Sequence, residues 1–214
     1  MIVFLGPPGS GKGTQAKLLR RKISLPQIST GDMLREERKA GTELGKKASE
    51  YMEKGDLVPD EVILGMVRNR VGAGDCAKGY ILDGFPRTLP QGKALDKNLE
   101  ERETPLRAAL YFDVSDEEII ERITGRVSCG GCGKIYHRKF SPPPSVDKCE
   151  CGEELIQRKD DTVQVVKERL RVYKEMTAPL VEYYSKGGKF ISIQAGGSTI
   201  EEVFGRVMEA LDKF

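Results

Sequence analysis

Mostly apolar runs of four or five residues, at 2–5, 80–83, 108–112 and 190–193, predict buried strands, and Pro26-Gln27-Ile28-Ser29 a further short one. Helical spacing separates them. Gln15-Ala16-Lys17-Leu18-Leu19 follows the first run, and Asp60 opens a helix carrying Val62, Ile63, Met66 and Val67. A capping box of Ser115 and Glu118 precedes Ile119, Ile120 and Ile123, and one of Thr199 and Glu202 precedes Val203, Val207 and Leu211. Val163, Val166 and Leu170 mark another helix. Strands alternating with helices predict an α/β fold, a parallel sheet covered on both faces.

Two stretches break the alternation. Thr30-Gly31-Asp32 starts a helix that Gly41 stops, and Thr42 starts another that runs to about Lys54 and stops at Gly55. Two short helices where one crossover is expected predict an inserted lobe at 30–59. From Gly125 to about Asp161 come four cysteines, the triplet Pro142-Pro143-Pro144 and little periodicity, which predicts a second insertion. No internal repeat is visible.

Composition narrows the class. With 214 residues the chain can build one substantial core plus insertions. Its 35 Lys and Arg against 33 Asp and Glu leave a charge of +2, no field that calls for nucleic acid or membrane. No run has the length of a membrane span, and the first five residues lead straight into a glycine-rich loop rather than a signal sequence. Five cysteines in such a chain point to metal or free thiols rather than disulfides, with the cytoplasm as the expected compartment.

Gly6-Pro7-Pro8-Gly9-Ser10-Gly11-Lys12-Gly13-Thr14 sits between a strand and a helix, the setting of a phosphate-binding P-loop. Glycines let successive N–H groups point inward, the helix N-terminus adds positive potential, and Lys12 reaches the outer phosphates. The strict pattern has Ser or Thr directly after the lysine; here Gly13 stands there and Thr14 follows. Ligands of open parallel sheets bind at the carboxyl ends of the strands. There lie the P-loop, Thr30 to Arg35, and Asp83-Gly84-Phe85-Pro86-Arg87. Asp83 is placed for Mg²⁺, directly or through water, and Arg35 and Arg87 for a second phosphate group. Arg122 and Arg126 share a face if one helix runs on between them, and Arg158 and Arg169 continue the series. Phosphoryl transfer is catalysed mainly by positioning and electrostatic stabilisation, which several arginines around a P-loop would supply.

Cys129-Gly130-Gly131-Cys132 and Cys149-Glu150-Cys151 read as a four-thiolate structural Zn²⁺ site. The CxC departs from the usual CxxC and strains an ordinary knuckle turn. Three cysteines with a nearby His or Asp, or free thiols, are the alternatives. His137, the sole histidine, reads as a packing or hydrogen-bonding residue, and Cys76 as a buried or incidental thiol.

Taken together, Gly6 to Thr14, Ser29-Thr30-Gly31-Asp32, Asp83 to Arg87, Thr124-Gly125-Arg126 and Arg158-Lys159-Asp160-Asp161 resemble the adenylate kinases with a zinc-bearing long lid. The resemblance spans essentially the whole chain, and that family also has glycine then threonine after the lysine. It implies a P-loop NTPase fold with a five-stranded parallel sheet. The core would comprise residues 1–29, 60–124 and 162–214, with an AMP-binding lobe at 30–59 and a zinc-ribbon-like lid at 125–161. It further implies that Gly9, Ser10, Gly11, Lys12, Gly13 and Thr14 cradle the ATP phosphates, and that Arg122, Arg126, Arg158 and Arg169 surround the transferring group, the last two also toward AMP. Asp83 would order water around Mg²⁺. Thr30, Arg35, Leu57, Val58, Gly84, Arg87 and Gln91 would hold AMP. Tyr136 would lie near the adenine end of ATP, with backbone around Ser198 against that base. Asp160 and Asp161 match the family's lid carboxylates.

The expected reaction is reversible transfer from ATP to AMP giving two ADP, by a monomer. The acceptor phosphate oxygen is ionised at neutral pH, so no general base is needed and a site without histidine is expected. A kinase for UMP, CMP or GMP is the nearest alternative, and Thr30 and Gln91 resemble the adenine-selective pattern. A non-enzymatic nucleotide-binding zinc-ribbon protein is the other, against which stand the near-neutral charge and the few exposed aromatics of the lid.

Overall fold

The computed structural model describes residues 1–213. In chain order it contains β1 (Ile2–Leu5), α1 (Lys12–Ile23), β2 (Gln27–Ser29), α2 (Thr30–Lys39), α3 (Glu43–Lys54), α4 (Asp60–Val71), β3 (Ile81–Asp83), α5 (Leu89–Glu101) and β4 (Ala108–Asp113). There follow α6 (Asp116–Thr124), β5 (Arg126–Cys129), β6 (Ile135–His137), β7 (Leu155–Ile156), α7 (Val163–Val172), α8 (Pro179–Ser185), β8 (Phe190–Gln194) and α9 (Ile200–Leu211).

Five strands form one parallel sheet in the order β2-β3-β1-β4-β8. The unbroken apolar sequence of β1 is explained by burial on both faces. Val3 and Leu5 pack with Ile28, Leu82 and Ala109 on one side, and Ile2 and Phe4 with Ile81, Leu110 and Phe112 on the other. Helices α4, α5 and α8 cover the first face; α1, α6, α7 and α9 cover the second. Because β1 lies between β3 and β4, the loops after β1 and β3 open side by side at the carboxyl edge.

The 30–59 insertion is the helix pair α2 and α3, capped by the side chains of Ser29 and Thr42 and closed by Gly55 at φ 88°. The two helices touch backbone to backbone: a Cβ on Gly45 would lie 2.3 Å from the carbonyl of Glu37. Leu34, Ala48 and Val58 belong to the same buried cluster as one face of the sheet. The second insertion is an antiparallel sheet, β6-β5-β7, with its own small cluster of Val127, Cys129, Tyr136 and Cys149.

Two expectations are corrected. No helix joins Arg122 to Arg126, because α6 ends at Thr124, Gly125 caps it, and Arg126 begins β5. The box at Ser115 is half made. Ser115 accepts from Glu118 N–H at 3.4 Å, but the Glu118 carboxylate instead pairs with Arg122 at 2.6 Å and accepts from Gly197 N–H at 3.0 Å. The box at Thr199 is complete. Beyond α7 the helix widens over Tyr173–Thr177 before Pro179 starts α8, a residue whose ring lacks the N–H that an α-turn would use.

Candidate functional site

A cleft of about 850 Å³ opens at the carboxyl edge of the sheet, between the two insertions. Its floor is the loop after β1. Gly9 and Gly11 have φ of 78° and 93°, and a Cβ on Gly9 would meet Ile123 of α6 at 2.6 Å, so α6 packs against the loop only because no side chain intervenes. Lys12 Nζ donates to the carbonyls of Gly6 and Pro7, both at 2.7 Å, and to Ser10 Oγ at 3.2 Å. Burial lowers its pKa to about 7 against the pull of Asp83.

Asp83 ends β3 beside this lysine. Burial raises its pKa, Lys12 opposes the rise, and Gln27 Nε2 donates to its Oδ2 at 3.0 Å. A Cβ at Gly13 would stand 3.2 Å from the same Oδ2, so a side chain directly after the lysine would press on Asp83. That contact gives a physical reason for glycine where the strict loop pattern has Ser or Thr.

On the side of the helical insertion, Thr30 Oγ1 and Arg87 Nε both donate to the Gly84 carbonyl, at 2.7 and 2.8 Å. Arg35 pairs with Asp32, and although burial opposes it, that guanidinium holds the Asp32 carboxyl below its ordinary range. Gln91 is 1% exposed. Its Oε1 accepts from Arg87 N–H at 2.8 Å and its Nε2 donates to Asp60 Oδ1 at 2.7 Å. Thr88 Oγ1 donates to Asp60 Oδ2 at 2.8 Å, and Thr177 Oγ1 donates to the Arg87 carbonyl at 2.7 Å. Leu57 and Val58 line the same end of the cleft.

The stranded insertion and its flanks supply further cations. Arg126 makes a two-pronged pair with Asp161, whose side chain is fully enclosed. Arg169 pairs with Asp160 at 3.1 Å. Burial, reinforced by neighbouring guanidinium groups, lowers Arg158 to about 10, as it does Arg169 against the pull of Asp160. Burial lowers Arg87 as well. Like charges crowded together out of water constitute a binding field for a polyanion. Arg122 reaches the opposite wall, donating to the Ala195 carbonyl at 2.7 Å, and Glu118 connects it to the turn at Gly197 and Ser198. Tyr136 borders the cleft, but its ring belongs to the buried cluster and its hydroxyl meets Cys149 Sγ at 3.3 Å. His137 has both ring nitrogens engaged. Nδ1 accepts from the N–H groups of Lys139 and Phe140, so Nε2 is the donor to the Glu121 carbonyl at 3.1 Å.

The Sγ atoms of Cys129, Cys132, Cys149 and Cys151 all lie within 4.8 Å of one another, and the pairs 129–151 and 132–149 stand 3.5 and 3.6 Å apart. Thiolates about 2.3 Å from a central Zn²⁺ form a tetrahedron with edges of about 3.8 Å, so the cluster fits that ion. The CxC is accommodated at the end of a hairpin. Lys148 bridges to Glu154, Cys149 N–H donates to the Glu153 carbonyl, and Gly152 at φ 89° turns the chain. Cys76 is buried against Arg70, and burial raises its thiol.

The sequence reading missed Gln27, Asp60, Thr88, Glu118 and Thr177, which hold the site residues rather than line the phosphates. Asp60 carried a signal only as a helix start, and nothing in sequence tied it to Gln91, thirty-one positions away.

The sequence profile described as adenylate kinase matches residues 4–189. The chain is 52% identical to the adenylate kinase of Archaeoglobus fulgidus over 99% of its own length and 98% of that protein. It is 51% identical to that of Methanosarcina barkeri, over 100% and 99%, and to that of Thermodesulfovibrio yellowstonii, over 99% of both.

Proposed function

The chain belongs to the adenylate kinase family, and from this premise we propose that it transfers the terminal phosphoryl group of ATP·Mg²⁺ to AMP, reversibly, giving two ADP. The observation that carries the reading is the convergence of Lys12, Arg35, Arg87, Arg122, Arg126, Arg158 and Arg169 on one cleft with the P-loop as its floor. The helical insertion, 30–59, serves as the AMP lobe and the stranded insertion, 125–161, as the lid. Residues 1–29, 60–124 and 162–213 serve as the core, residue 214 lying outside the described residues.

In this reading Gly9 to Thr14 take the ATP phosphates through their N–H groups, and Lys12 turns from its loop carbonyls to the outer phosphates, regaining its charge there. Arg35 and Arg87 hold the AMP phosphate. Arg122, Arg126, Arg158 and Arg169 stabilise the charge that spreads over the transferring group. Asp83, a single buried carboxylate beside the phosphate loop, suits Mg²⁺, which keeps most of its water and shares its site with substrate phosphates. Thr30, Gly84 and Gln91, with backbone at Leu57 and Val58, form the AMP base pocket, and Tyr136 and the turn at Ser198 the ATP base pocket. Zn²⁺ on Cys129, Cys132, Cys149 and Cys151 holds the lid rigid, so that closure excludes water from a donor that would otherwise hydrolyse. One chain supplies the whole cleft, which supports a monomer. No helix among the described residues is long and apolar enough to cross a membrane. That fact and the near-neutral net charge agree with action in the cytoplasm on nucleotides alone.

The test is a coupled assay of diphosphate formation from ATP·Mg²⁺ with AMP, UMP, CMP and GMP in parallel, with Lys12→Ala and Arg87→Ala beside the parent. Turnover with AMP that both substitutions abolish is the expected result. Preference for another monophosphate overturns the assignment of Thr30 and Gln91, and no turnover with any acceptor overturns the reaction.

A further inference from the structure

Asp60 has no hydrogen bond or ion pair to the phosphate loop or the arginines, yet both of its carboxylate oxygens are committed behind Gln91, which lines the monophosphate end of the cleft. Oδ1 accepts from Gln91 Nε2 at 2.7 Å and Oδ2 from Thr88 Oγ1 at 2.8 Å. The hydroxyl of Thr88 also accepts from Gln91 N–H at 3.3 Å as the cap of α5, so its own proton is the one given to Asp60. On its far side the Gln91 amide meets the backbone N–H of Arg87 at 2.8 Å. A carboxylate can only accept and a backbone N–H can only donate, so the amide of Gln91 has one permitted orientation. Turned over, it would set NH₂ against N–H on one side and oxygen against carboxylate on the other.

What remains to Gln91 is one N–H and one lone pair on Oε1, in a fixed order along the edge of the amide. Such an edge distinguishes the two kinds of purine. Adenine offers an amino donor at position 6 beside an acceptor at N1, whereas a 6-oxopurine offers an acceptor at position 6 beside a donor at N1. An amide free to turn over reads either; an amide held in one orientation reads one. We propose that Asp60 is a specificity-determining positioning residue, which fixes the polarity of Gln91 so that the acceptor site takes a 6-aminopurine monophosphate and rejects a 6-oxopurine one. The inference rests on the reading above in which Gln91 faces the AMP base. Asp60 is suited to the task by its place in the chain. It is the first residue of α4, where the helical lobe returns to the core, so its lock belongs to the core side of that junction.

The experiment compares kcat/KM for AMP and for inosine monophosphate with ATP·Mg²⁺ as donor. Inosine monophosphate exchanges the donor and acceptor at positions 6 and 1 and adds no 2-amino group. Asp60→Asn and Asp60→Ser each replace an obligate acceptor by a group that can donate or accept. Arg87 N–H keeps half of the lock, so the AMP to inosine monophosphate ratio is expected to fall about tenfold in both, one hydrogen bond's worth, with KM for ATP unchanged. Gln91→Leu serves as reference and loses the ratio altogether. A role that merely supports the fold would lower both acceptors in parallel and leave the ratio unmoved, and that result overturns the proposal. An unchanged ratio in the Asp60 variants with a collapsed ratio in Gln91→Leu overturns the role of Asp60 alone. An unchanged ratio in Gln91→Leu overturns Gln91 as the base reader and this proposal with it. An absence of AMP turnover in the parent overturns the kinase reading itself.

Discussion

The two insertions flank one cleft and are stabilised by different means. The helical lobe has no separate interior. Leu34, Ala48 and Val58 are continuous with the apolar face of the sheet, and α2 and α3 meet at Gly45 without a side chain between them. The stranded lid shares no buried apolar residue with the sheet. Its cluster is Val127, Cys129, Tyr136 and Cys149, two of them thiols of the four-cysteine group, and a unit so small cannot offset the entropy of ordering its loops by apolar burial alone. One insertion is thus an extension of the core, and the other depends, on the reading proposed above, on a metal cross-link of its own.

The largest expected effect separates them directly. Replacing Cys132 and Cys149 together by serine should unfold the lid alone. Phosphoryl transfer should fall by roughly a thousandfold, as when cationic groups at the transferring phosphate are lost. Calorimetry should still show the core transition. Gly45→Ala should do the opposite. Its Cβ would meet the backbone of α2 at 2.3 Å, an overpacking cost of about 3 kcal/mol, and because the lobe is continuous with the core the entire protein should melt about 6–12 °C lower in a single step.

Asp161→Asn tests the tie between the two ends of the lid. Without the charge, Arg126 loses its two-pronged partner, and kcat should fall about tenfold while KM for AMP changes little. A fourth outcome belongs to the core and to neither insertion. Lys12 titrates at about 7 in the protein alone, and a bound polyphosphate raises that value. The complex therefore holds more protons, and ATP affinity should fall between about pH 7.5 and about pH 9, by up to about tenfold per pH unit. Isothermal titration in buffers of different ionisation enthalpy should register proton uptake, and the doubly substituted lid variant should retain it. The smallest effect is expected at Lys159, which meets Glu53 of α3 across the cleft at 3.4 Å with 78% of its side chain exposed. Lys159→Ala should move stability by no more than about 0.5 kcal/mol. A larger change would mean that the lid and the lobe are coupled in the resting protein.

Much of this was legible in the sequence because it is periodic or local. The strand at each apolar run, the stops at Gly41 and Gly55 and the complete cap at Thr199 follow from spacing and backbone preference. The phosphate loop is a contiguous motif, and the four thiols could be paired by eye. The helix break after Thr124 was not legible, since Arg122 and Arg126 keep helical spacing while Gly125 turns the chain into β5. Nor was the fate of Glu118. A capping-box glutamate and an ion-pair glutamate look alike until the fold brings Arg122 and Gly197 to it. Asp60 was hidden for the same reason. Residues that hold other residues have partners fixed by topology, and a chain read in order does not display them.

The lid leaves the core after α6 and returns before α7, and the pair between Arg126 and Asp161 joins those two crossings at its base. A segment tied to the core mainly at its base, there by Arg126 with Asp161 and by His137 and Gln157 to the end of α6, with an interior of its own, is exchangeable. Its four cysteines or its loops could change without repacking one residue beneath the sheet. Inheritance can then act on the lid as a cassette, altered or traded independently, whereas the helical lobe can change only in step with the core whose interior it completes.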